Sequence, residues 1–65
     1  MEERLENKIS KALAEGRKVE IQYVEGPVKV SKLEATTGWV CVTATGHREK
    51  LETVGHTVTI DGAPA

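Results

Sequence analysis

Gly26-Pro27-Val28-Lys29-Val30-Ser31-Lys32-Leu33-Glu34-Ala35-Thr36 is the stretch that decides the fold. Val28 and Val30 alternate with Lys29 and Ser31, the period of a strand with one covered face. The apolar phase then slips by one residue, and Leu33 and Ala35 carry the covered face. Such a slip turns every side chain over unless a bulge or bend absorbs it. The stretch therefore predicts one long strand, bent near Ser31-Lys32. Bent strands are how small sheets curl into barrels.

Working back from this strand, Gly26-Pro27 is turn chemistry. Before it, Val19, Ile21 and Tyr23 alternate with Lys18, Glu20 and Gln22, a half-buried strand. Residues 2–15 read as a helix. Leu5, Ile9, Ala12 and Leu13 form one apolar stripe that runs on to Gly16. Glu2 and Glu3 fall in the first turn, where the helix dipole favours negative charge. Gly16 suits the position just past the helix end. A stripe this narrow expects the helix to lie across an open end of the sheet.

Working forward, Thr36-Thr37-Gly38 is a turn. Trp39 to Ala44 is the most apolar strand, with Val40, Val42 and Ala44 on one face and Trp39 and Cys41 on the other. Cover on both faces predicts the centre of the sheet. Thr45-Gly46-His47 is a tight turn. Arg48 to Val54 is charged, anchored by Leu51 and Val54, and reads as a short or edge strand. His56, Val58 and Ile60 alternate with Thr57, Thr59 and Asp61 in a last strand. The expected class is mainly β (α+β): an N-terminal helix, then a five-stranded bent antiparallel barrel in one domain over residues 1–62, with 63–65 a tail.

The chain has 65 residues, nine Lys+Arg against ten Asp+Glu, and one cysteine. Domains of this length are marginal alone. A single cysteine forms no internal disulfide, and no Cys/His cluster suits structural zinc. Self-association into a homo-oligomer is therefore expected. A net charge of -1 excludes a polybasic nucleic-acid binder, though charges segregate onto faces. There is no apolar stretch of membrane-spanning length and no secretory signal at Met1-Glu2-Glu3-Arg4, so no membrane partner and a cytoplasmic location are expected.

Tyr23 and Trp39 are the only aromatic residues. Tyr23 shares the phase of the core valine and isoleucine. Trp39 suits either the core or a platform on which a base stacks. Lys29, Lys32, Arg48 and Lys50 are candidate phosphate contacts, and His47 at a turn tip is a further candidate for a phosphate or a partner. Interleaved glutamates weaken any basic stripe. Two lone histidines, His47 and His56, do not make a metal site, and no cofactor is implied. Cys41, amid valines, lacks the setting of a nucleophile. No enzyme is expected.

Three motifs resemble the WYL domain, a branch of the Sm-like small barrels. Ile21-Gln22-Tyr23 is similar to its Ile-x-Tyr strand after an opening helix. Gly38-Trp39-Val40-Cys41-Val42-Thr43-Ala44 resembles its aromatic-led third strand. Lys50-Leu51-Glu52-Thr53-Val54 resembles the end of its fourth. The resemblance runs over roughly residues 9 to 60, and the bacterial Sm-like RNA chaperone is a weaker match to the same layout. Val40-Cys41 replaces the family's Tyr-Leu, Thr53 its second Arg, and no Pro precedes Leu33. The resemblance implies an SH3-like or Sm-like barrel and a module for nucleotides or short single-stranded nucleic acid. It also implies rings in which strand four of one copy pairs with strand five of the next. The competing expectation is a protein-interaction module or inhibitor that pairs through an edge strand.

Overall fold

The computed structural model describes residues 3–65, so Glu2 and its expected place in the first helical turn lie outside the described residues. Helix α1 (Leu5–Ala14) is followed by strands β1 (Val19–Tyr23), β2 (Gly26–Thr36), β3 (Gly38–Thr43) and β4 (Arg48–Lys50). A helical turn α2 (Leu51–Val54), a 3-10 turn (Gly55–Thr57), and strands β5 (Val58–Ile60) and β6 (Ala63–Pro64) complete the chain. The sheet is antiparallel, in the order β4-β3-β2-β1-β5-β6. An N-terminal helix on a bent, mostly β domain is what the residue pattern predicts.

The helix is shorter than the expected 2–15 and ends as expected. Gly16 has φ +74° and closes a Schellman motif: its N–H donates to the Leu13 carbonyl, and Arg17 N–H donates to the Ala12 carbonyl at 2.9 Å. Ile9 and Ala12 are buried and Leu5 and Leu13 partly so, and this stripe packs on β1 and β2.

The phase slip in β2 is a bulge. Val30 pairs with Thr43 and Lys32 with Val42, which leaves Ser31 as the extra residue. Its Oγ donates to the Val42 carbonyl at 3.0 Å, so the break in the ladder keeps a hydrogen bond. Past the bulge, Leu33 takes the covered side, as predicted, while Ala35 is exposed.

Four expectations are corrected. The sheet has six strands and stays open: β4 and β6 are its two ends and do not pair with each other. Its centre is β2 and β1, with β3 second from one end. Strand four stops at Lys50, because Leu51 and Val54, three residues apart, are both buried by one helical turn. The last strand accordingly starts at Val58 and leaves His56 in the 3-10 turn. The expected tail is paired: Ala63 lies opposite Ile60, Pro64 opposite Thr59, and Ala65 N–H donates to the Val58 carbonyl at 3.1 Å. Strand β6 thus occupies the β5 edge that ring assembly of the Sm-like kind would use.

The core is Ile9, Ala12, Val19, Ile21, Val30, Cys41, Leu51, Val54 and Val58, held between α1, α2 and the concave face of the sheet. Thr43 is the one buried polar residue among those described. Its Oγ1 accepts the His47 N–H at 3.0 Å and shares a hydrogen bond with Thr45 Oγ1. No helix of the described residues is long and apolar enough to cross a membrane.

Candidate functional site

Strand register sorts the expected site residues onto two faces. Lys32, Val42 and Arg48 form one row across β2, β3 and β4, and Glu34, Val40 and Lys50 form the next. Both rows point to the outer face, because Cys41, between them in β3, is buried in the core. Lys29 is also outward, beyond the bulge and opposite Glu20. Lys32 and Arg48 therefore stand on the outer face, and Lys50, which shares the phase of Arg48 as the alternation predicts, lies at the end of β4, where it also lines the cleft described below.

Glu34 changes what that face does. Lys32 Nζ stands 3.3 Å from Glu34 Oε2, and Arg48 Nη1 stands 2.6 Å from Glu34 Oε1, an oxygen shielded from solvent. The hydrogen bond from Lys32, with the charge of Arg48, holds the Glu34 carboxyl below its usual range despite partial desolvation. Two of the expected phosphate contacts thus share one carboxylate within the protein, which offsets one of their two charges. His47 lies in the β3–β4 turn, exposed, with Nε2 3.5 Å from Glu49 Oε1. Glu49 also accepts a hydrogen bond from Tyr23. Tyr23, expected in the core, is half-buried and packed against it.

Trp39 lies on the opposite face from Lys32 and Arg48, in phase with Cys41. It remains 39% exposed, so it is neither a core residue nor part of the outer cationic face. Gly38 at φ +124° turns the chain just before it. The indole forms one wall of an open cleft of about 360 Å³. Leu5 and Glu6 of α1, Thr37 of the β2–β3 turn, Val40 of β3, and Lys50, Leu51 and Glu52 at the β4–α2 junction complete the lining. Lys50 is the one expected cation that shares a cleft with Trp39.

Sequence reasoning missed Leu5, Glu6, Leu51 and Glu52 as neighbours of Trp39. Leu51 and Val54 carried a signal, since a three-residue apolar spacing fits a helical turn better than a strand. Nothing local in the sequence brings the start of α1 to Trp39. No three or more His, Cys, Asp or Glu side chains among the described residues are grouped to hold a metal ion.

Compared with known proteins, the chain matches no family model, no curated protein and no solved structure.

Proposed function

We propose that this chain is a non-catalytic binding module that takes a nucleotide, or one nucleotide of a short single-stranded nucleic acid, in the Trp39 cleft. The observation that carries the reading is the sharing of one open cleft by a part-exposed indole and the Lys50 ammonium. Base stacking on an aromatic side chain contributes about 1–3 kcal/mol and tolerates any base. A lysine beside the platform gives the phosphate a point charge. The cleft volume of about 360 Å³ falls within the roughly 300–1,000 Å³ of small-molecule sites. Lys29, Lys32 and Arg48 do not line this cleft. The buried, unpaired Cys41 supports a reducing compartment, and the cytoplasm is the proposed location.

Nucleoside monophosphates titrated into the protein should quench or shift the emission of Trp39, its only tryptophan. In calorimetry, Trp39→Ala should abolish binding, and Lys50→Ala should weaken it about three- to tenfold and flatten its salt dependence. No spectral or calorimetric response at millimolar nucleotide overturns the reading.

A second reading rests on a different observation. β4 is an end strand whose outer edge has no partner among the described residues, and the Trp39 cleft opens beside it. An extended segment of a partner protein would add to that edge by β-augmentation.

A further inference from the structure

We infer that the Trp39 cleft selects guanine over the other bases, an inference that rests on the nucleotide reading above. The polar side chains lining the cleft are Glu6, Thr37, Lys50 and Glu52. Lys50 is the only cation among them and suits the phosphate. The remaining charged groups are carboxylates, which accept hydrogen bonds and do not donate them. The Thr37 hydroxyl both donates and accepts and so discriminates little between bases, which leaves Glu6 and Glu52, groups that only accept hydrogen bonds, to select the base.

The four bases differ on this point. Guanine carries two adjacent donors on its Watson–Crick edge, N1–H and the N2 amino group, matched in spacing to the two oxygens of one carboxylate. Adenine and cytosine each set one amino group beside a ring nitrogen that accepts. Uracil sets its single N–H between two carbonyl oxygens. For these three, a facing carboxylate meets a lone pair at bonding distance. Unpaired or opposed polar groups in a partly enclosed site cost more than a missing contact.

Glu6 is the better placed of the two carboxylates. It stands on the first turn of α1, a rigid element, and its side chain is only 19% exposed. Its neighbour Arg4 is 81% exposed and reaches Glu6 Oε2 only at 3.8 Å, so Glu6 keeps its acceptor capacity. Glu52 is exposed on α2, a single helical turn.

The test is calorimetric titration of the whole protein with GMP, AMP, CMP and UMP at one salt concentration, repeated on Glu6→Gln and Glu52→Gln. GMP should bind at least about tenfold more tightly than the other three. Glu6→Gln replaces one acceptor with a donor, and should cut that preference to about threefold or less while AMP binding stays or improves. Circular dichroism confirms that each variant folds. Equal binding of all four nucleotides overturns the inference and leaves the stacking platform standing. A guanine preference unchanged in both variants also overturns it. Absence of binding by any nucleotide overturns the parent reading as well.

Discussion

Tyr23 Oη donates a 3.1 Å hydrogen bond to Glu49 Oε2, joining β1 to β4 across the concave face although β2 and β3 lie between them in the sheet. The two strands never pair. Only a strongly curled sheet brings their inward side chains together, and the Ser31 bulge in β2 supplies a bend between them. The curl that the sequence predicts is present, and a side-chain contact links β1 to β4 across it although no backbone ladder does.

The phenol of Tyr23 titrates above its ordinary value of 10.0, first through desolvation, then through its hydrogen bond to Glu49 and the charges of Glu49 and Cys41. Tyr23 is the only tyrosine, so absorbance near 295 nm reads it alone. The folded midpoint should lie above 10 and should move down in Glu49→Gln. The folded form holds its proton longer than the unfolded chain. The resulting stability is complete below pH 10 and is lost as pH rises through the folded midpoint. A midpoint unchanged by Glu49→Gln would show that this contact is not formed in solution.

Glu34 works in the opposite direction. Its carboxyl is held below 4.5 by the Lys32 hydrogen bond and the neighbouring cations, so its contribution is present above pH 4.5 and is lost as pH falls through the lower folded value. Thermal melts from pH 6 downward should show Tm falling below pH 4.5, and Glu34→Gln should be less sensitive over the same window. The same variant frees Lys32 and Arg48, and should strengthen retention on a polyanionic resin. Equal acid sensitivity of the variant and the parent would contradict this assignment.

Thr43 is buried at 2% exposure, and its hydroxyl accepts the His47 N–H. Thr43→Val keeps the shape and leaves that N–H unpaired in the β3–β4 turn. Urea denaturation should show a loss of about 1–2 kcal/mol. Thr45→Val, which leaves the His47 N–H paired, should cost less.

Size alone argues for self-association, but the edges argue otherwise. β6 covers β5. Antiparallel pairing of β4 with β4 of a second copy, centred on Glu49, would set Arg48 against Lys50 of that copy, like charges directly opposed. Native mass spectrometry at tens of micromolar should therefore give the monomer mass. A ring mass would mean that β6 leaves β5 on assembly.

What was legible in the sequence followed from local periodicity. The slip at Ser31 announced the bulge, Gly16 marked the helix end, and the alternation of Arg48 and Lys50 placed both on one face. The remainder depended on contacts far apart in the chain. Glu34 pairs with Arg48 only because β3 spaces their strands by one, and Leu5 lines a cleft with Trp39 only after α1 folds over the sheet. Leu51 to Val54 reads as the end of a strand because the charged alternation before it outweighs the three-residue apolar spacing that marks a helical turn. The short β6 was invisible because Ala63-Pro64 resembles a loop until β5 is in place beside it.

Pairing of β6 with β5 fixes the valence of the molecule. Ala65 N–H points back to Val58, so the outward position of β6 falls to Pro64, which has no N–H to offer. One side of the sheet is blunted, and among the described residues β4 is the adhesive edge that remains. A unit with a single adhesive edge caps a growing stack of strands instead of extending it, which is what the second reading proposed above implies at an open sheet of another protein.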